Sequence, residues 1–333
     1  MISIKTLINN CKKYYNYNNL YDNIIINDNL LNKNELLDNI KYEINNSKFS
    51  NCNKIIKYTN NCNNIISISK LNCNIKILIY YNKKTNILYE KILKIYNRLI
   101  ILSNIYNINK DICFHLVLTN SKRIMPKNNY FETKNFNGGF TYIYNNNNIQ
   151  KADIYIYRYD EYFKVMLHEL IHHIGIINDS MLKLPNEIIL DLKKYFNISY
   201  DSNIQVNEGN VEFWATIYNL IFISIEYNIE FKKLYKKELE FSINQYFKLR
   251  NINKYKIWKE NTNVFSYFIV KLILLYYYKE FINLSLPYDN NIFCNFIKNK
   301  YNKYFINKIK KIKNNKLNLK NKNSLDAMIF SSF

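Results

Sequence analysis

The sequence predicts an α+β protein: a small mixed sheet packed on one helix, then a mainly helical C-terminal half. Three observations carry this. Short runs of β-branched and aromatic residues recur between residues 74 and 159. A helical apolar pattern follows the last of them at once, through "YFKVMLHELIHHI". Beyond it come long stretches with apolar residues at helical spacing, so strands and helices segregate along the chain.

In order, residues 1–75 are Asn-rich with short apolar patches such as "NIIINDNLLNKNELLDNI", whose poor period predicts no definite fold. "NIKILIYY" (74–81) reads as a strand, 86–106 as an amphipathic helix and "DICFHLVLT" (111–119) as a buried strand. "NGGFTYIY" (137–144) and "ADIYIYRY" (152–159), separated by an Asn-rich turn, predict two more strands. The next helix has Asp160 as N-cap, Glu161 at the positive end of the dipole, and Gly175 where helices commonly stop. Helical patterns then cover 186–196, 208–228, 231–248, 263–283 and 292–313. The expected division is an N-terminal region (1–75), a catalytic domain (76–285) and a basic helical tail (286–333).

The composition bounds function only loosely. A net charge of +21 suggests a polyanion partner. The excess of Ile, Asn, Lys and Tyr, with four Gly and three Pro in 333 residues, offers a competing cause: a coding bias toward A and T that enriches lysine without selection for nucleic acid. Six cysteines form no CxxC pair, which excludes a thiolate zinc cluster and a dense disulfide framework. No secretory h-region opens the chain, and Lys271 interrupts its longest apolar run. The expectation is a soluble intracellular protein with no transmembrane segment.

The chemistry concentrates in "HELIHH". The chain has four histidines, and three fall within these six residues. His168 and His172, four apart, lie on one helix face and can bind one Zn²⁺, one per chain; Glu169 then stands where a general base takes a proton from a zinc-polarised water. That chemistry is hydrolysis, with peptides or proteins as the expected substrate class. His173 is turned about 100° from His172 and cannot share the ion, so it reads as a packed or hydrogen-bonded histidine. His115, within a strand, also reads as structural.

The third zinc ligand has to come from elsewhere. Gly175 fits the glycine of the long metzincin pattern HExxHxxGxxH, but the third-histidine position holds Asn178, a poor ligand, and Met181 is too close for a methionine turn. Helix termination explains Gly175 without that pattern. "NEGNVEFWATIYNLIFISIEY" (207–227) offers Glu208 and Glu212, four apart on one face of an apolar helix. Glu212 sits in the more apolar setting and is the favoured ligand. Glu208 is the alternative ligand, or supports the site from behind. Against both stands the reading that they are solvated first-turn acids favoured by the helix dipole.

"HELIHH" followed by "NEGNVEFWA" resembles gluzincin-type metallopeptidases, and "NExxEFxA" resembles the third-ligand helix of anthrax lethal factor. A closer resemblance is to a metallopeptidase-like family of large nucleocytoplasmic DNA viruses, including insect poxviruses. Its turn-strand matches Asn137, Gly139 and Thr141; its motif helix matches Arg158, Glu161, Phe163, Lys164, Val165, His168, Glu169 and His172; its later helix matches Glu212 to Ala215. The resemblance spans roughly residues 85–285. It implies a zincin-like fold, zinc dependence and, for a viral protein, residence in host cytoplasm, but no substrate. It also implies that "NGGFTYIY" is an edge strand that pairs with extended substrate through Gly139, Thr141 and Tyr142; an ordinary hairpin strand is the competing reading. Tyr142 and Tyr200 are candidate oxyanion donors. Lethal factor's tyrosine seven residues before its ligand has no counterpart here, since the position holds Gln205.

From 298 to 322 the chain carries lysines and no acid, with Tyr301, Tyr304, Phe305, Ile309 and Ile312 at helical spacing. A weak polyanion contact is one expectation, a terminal helix with one packed face the other.

Overall fold

In the computed structural model, residues 3–17, 23–50, 52–82, 89–123, 126, 130–146, 149–174, 184–252, 257–284 and 289–314 are described. The chain divides into two compact units. One comprises Leu7–Lys122 and Asn137–Ile174, the other Met1–Thr6, Arg123–Phe136 and Gly175–Phe333.

The first unit holds most of α1 (Ile4–Tyr17), then β1 (Ile24–Asn27), α2 (Lys33–Asn46), α3 (Asn53–Asn60), β2 (Asn64–Lys70), β3 (Ile75–Tyr81), α4 (Tyr89–Tyr106) and β4 (Asp111–Thr119). Its six-stranded sheet is completed by two strands from further along the chain, taken up below. The expected boundary at residue 75 does not divide this unit: β1 and β2, from the stretch with no definite prediction, pair antiparallel into the sheet beside β3. Strands β3 and β4 are parallel, with α4 as their crossover, the connection a parallel pair needs.

After β4 the chain enters the second unit for β5 (Tyr130–Phe131) and the short α5 (Thr133–Phe136), then returns as β6 (Gly139–Asn146), β7 (Ile149–Arg158) and α6 (Tyr162–Ile171). The sheet order is β1-β2-β3-β4-β7-β6, with β7 parallel to β4 and β6 antiparallel at the edge. Strand alternation sorts the side chains. Leu78, Tyr80, Val117, Phe140, Tyr155 and Tyr157 pack under α2 and α3 with Leu37, Ile40, Ile44 and Ile55. Ile77, Ile79, Phe114, Leu116, Ile154 and Ile156 are the buried residues of the alternate positions, and α4 and α6 pack on β3 and β7.

The second unit continues with α7 (Asn186–Phe196), α8 (Asn207–Glu226), α9 (Phe231–Ile252) and β8 (Lys259–Glu260), which pairs with β5. The expected single helix over 263–283 is three pieces: a π-helical turn (Phe265–Val270), α10 (Lys271–Tyr276) and α11 (Tyr278–Ile282). The expected helix over 292–313 is also divided, into α12 (Asn290–Lys300) and α13 (Lys303–Asn314). In α13 Phe305 and Ile309 are fully buried, and in α12 Lys298 and Lys300 pair with Asp191 and Glu280. The described part of the basic tail is therefore a pair of packed terminal helices; residues 315–322 lie outside the described residues. No described helix is long and apolar enough to cross a membrane.

Candidate metal centre

Strand β7 runs almost directly into α6, and the junction is sharp. Arg158, fully buried, donates from Nε to the Asn137 carbonyl at 2.6 Å and from a terminal guanidinium nitrogen to the Ser121 carbonyl at 2.7 Å. Glu161, rather than Asp160, is the N-cap, and it takes a left-handed conformation with φ of 64°. A non-glycine residue there costs about 1–2 kcal/mol, so the surrounding packing holds the turn. Gly139 permits a second close approach. A Cβ on it would meet the Tyr155 carbonyl at 2.7 Å, the Ile156 side chain at 2.8 Å and Val165 at 3.3 Å. Without a side chain there, the start of β6 lies tight against both β7 and α6.

On α6, His168 is buried and His172 and Glu169 are half-buried. The two imidazoles stand with ring centroids 5.2 Å apart and planes at 70°. Regular α-helix ends at Ile171, three residues earlier than expected. The chain turns on through His173 N–H to the Leu170 carbonyl at 2.8 Å and Ile174 N–H to the Ile171 carbonyl at 3.4 Å. His172 keeps right-handed helical dihedrals as the C-cap, so the four-residue spacing still stacks it over His168. Gly175, Asn178 and Met181, which bear on the metzincin alternative, lie outside the described residues.

Thr141 and Glu169 meet: Thr141 Oγ1 donates to Glu169 Oε2 at 2.5 Å. This fixes one carboxylate oxygen and the direction of the other. Tyr142, next along β6, points to the opposite face of the sheet, where its ring meets Phe140 and Tyr155 edge-on at 5.4 Å and 5.9 Å. A side-chain hydrogen bond joins it to Ser47 there. Its hydroxyl is thus on the wrong face to serve Glu169, although its backbone stays on the sheet's edge. Tyr200 is largely exposed, and its carbonyl accepts from Lys193 Nζ at 2.8 Å. Gln205 is pinned by Asn263 Nδ2 at 3.0 Å.

His173 is packed but not hydrogen-bonded: it is buried, and neither ring nitrogen has a hydrogen-bond partner among the described residues. Burial, with Lys110 and His172 adding repulsion, pushes its pKa down to about 3. It is a neutral imidazole at any ordinary pH.

Helix α8 is buried on all sides from Asn207 to Ile223, so its two acids are not solvated first-turn residues. Glu212 is fully buried, with its Oε1 4.0 Å from Lys271 Nζ; Glu238 Oε1 lies 3.9 Å from the same ammonium. Glu208, one turn earlier, is 9 % exposed. Gly209 beside it lets the helix start close on the π-helical turn, where a Cβ would lie 2.5 Å from Val270 Cγ1 and 2.9 Å from the Ser266 carbonyl.

Among the described residues of the first unit, α6 presents the two imidazoles of His168 and His172 side by side, and a second group, Cys113, His115 and Asp153, has a donor set that could hold a metal ion. Of Glu208 and Glu212, the favoured ligand Glu212 lies with Lys271. No family model, curated protein or solved structure matches this chain. The function therefore rests on the residues themselves.

The second group was missed in the sequence, where Asp153 stands 40 residues after Cys113 and 38 after His115. Strand register joins them: Cys113 and Asp153 are direct partners across β4 and β7. His115 Nε2 lies 3.1 Å from Asp153 Oδ1, and Cys113 is hydrogen-bonded to the same ring. Burial opposes the imidazolium, but Cys113 and Asp153 outweigh it and push the His115 pKa up to about 9.

Proposed function

We propose that this protein is a zinc-dependent peptidase in which His168, His172 and Glu208 hold the metal and Glu169 is the general base. The observation that carries the reading is the state of Glu169. A helix that only needed a structural zinc has no use for a carboxylate beside the ligands, yet this one is half-exposed and oriented by Thr141. Two neutral imidazoles and a carboxylate form a donor set suited to zinc with an open position. Zinc in such a set supplies Lewis acidity and lowers the pKa of a bound water.

The chain's own groups then divide the work. Glu169, with Oε2 held by Thr141, takes the proton of the attacking water on its other oxygen and returns it to the leaving amine as the C–N bond breaks. Strand β6 ends the sheet order, with exposed Tyr142, Ile143 and Tyr144. Its outer edge offers backbone N–H and C=O groups to an extended peptide. The mixed sheet with an antiparallel edge strand and an HExxH helix is the arrangement expected of a zincin-like catalytic domain.

The test is hydrolysis of broad peptide libraries by zinc-loaded protein. Wild type should cleave, and Glu169→Gln should lose cleavage while retaining metal. Stoichiometric zinc in a wild-type protein that cleaves nothing would instead favour a catalytically silent, zinc-stabilised interaction protein.

A further inference from the structure

We infer that Cys113, His115 and Asp153 form a second zinc site, on the sheet face opposite α6 and independent of the HExxH helix. One donor atom from each residue lies within 4.8 Å of the others. Zinc bond lengths of about 2.0–2.3 Å place tetrahedral neighbours roughly 3.3–3.6 Å apart, so small side-chain adjustments close the set around an ion.

The donors are held as ligands are held. A metal-binding imidazole is oriented through its other nitrogen, and here Tyr80 hydroxyl lies 2.9 Å from His115 Nδ1, leaving Nε2 to face Asp153. Tyr155 stacks on the ring with centroids 4.6 Å apart. Asp153 has its second oxygen fixed by Tyr144 hydroxyl at 2.6 Å. The imidazole is nearly buried, while Cys113 and Asp153 line a cleft shared with Lys76, Asp111 and Lys151. An ion therefore has an entry path and a fourth position open to water.

The chemistry selects the cation. A thiolate and an imidazole favour zinc over magnesium or calcium, which take all-oxygen sets. The arrangement does not suit a nucleophilic cysteine. In such a triad the carboxylate holds the nitrogen remote from sulfur; here Asp153 faces Nε2, and Tyr80 occupies Nδ1.

Cobalt titration of the full-length protein tests this, because the proposed peptidase site contains no sulfur. Co²⁺ should produce a thiolate-to-cobalt charge-transfer band saturating at one ion per chain. The band should persist in His168→Ala/His172→Ala, vanish in Cys113→Ser, and be displaced by Zn²⁺. Tyr144→Phe, a milder change, should keep the band and weaken binding roughly 10- to 100-fold. Absence of the band at saturating cobalt, or a band that survives Cys113→Ser, would overturn the assignment. Either outcome leaves hydrolysis by the HExxH site to be judged separately.

Discussion

Thr141 Oγ1 donates to Glu169 Oε2 at 2.5 Å, tying the edge strand of the sheet to the central acid of the HExxH helix. A free carboxylate at the end of a glutamate side chain samples several rotamers; this one has lost that freedom before any substrate arrives. Thr141 is thus a positioning residue for the proposed base. Replacing it by valine keeps the shape and removes the donor. A hydrogen bond to a charged group is worth about 1.5–3 kcal/mol, so Thr141→Val should lower kcat roughly 10- to 100-fold. Steady-state kinetics should show KM and zinc content nearly unchanged, and serine should restore most of the rate.

Glu208 and Glu212 of α8 should separate by assay. Glu208→Gln should weaken zinc binding at the HExxH site without unfolding the protein. Lys271→Met should act on stability instead, because it strips the ammonium from two buried carboxylates, Glu212 and Glu238. Removing one partner of a buried ion pair costs about 3–5 kcal/mol. Urea unfolding monitored alongside metal content checks both.

At Gly209 there is no room for a methyl group against Val270 and the Ser266 carbonyl. Overpacking of this kind costs about 1–3 kcal/mol. Gly209→Ala should therefore lower the urea midpoint despite alanine's better helix propensity, whereas an unchanged or higher midpoint would show that the π-helical turn yields easily.

The carboxyl of Glu260, at the end of β8, is wholly buried, and burial pushes its pKa from 4.5 up to about 8 even though the Phe265 N–H donates to it at 2.9 Å. The folded state holds this proton more tightly than the unfolded chain does. Its contribution to stability is therefore full below about 4.5 and is lost as pH rises toward about 8. Glu260→Gln should flatten that part of the stability–pH profile and unfold at higher denaturant than wild type above it. A profile identical to wild type would show that Glu260 does not titrate in this range.

Much of the fold was legible because it rests on local pattern. The run 111–119 is β4, the helix expected over 86–106 is α4 from Tyr89, and the four-residue spacing of His168 and His172 falls on α6 and its C-cap. What escaped was set by tertiary context. Strands β1 and β2 are short and Asn-flanked, and their place in the sheet depends on β3. The run 263–283 is so uniformly apolar that no period marks where the π-helical turn gives way to α10. The preference for Glu212 took no account of Lys271, nearly sixty residues on, whose ammonium lies 4.0 Å from its carboxylate. The hydrogen bond from Thr141 to Glu169 was not legible either, because a strand's sequence does not say which helix its side chains will meet.

Zinc stoichiometry in a Cys113→Ser background tests the central claim most directly, since it leaves only the HExxH site to count. One zinc per chain is expected there, lost in His168→Ala and His172→Ala, weakened in Glu208→Gln and retained in Glu169→Gln. A chain that binds no zinc in that background, or keeps full affinity after either histidine is removed, would contradict the account.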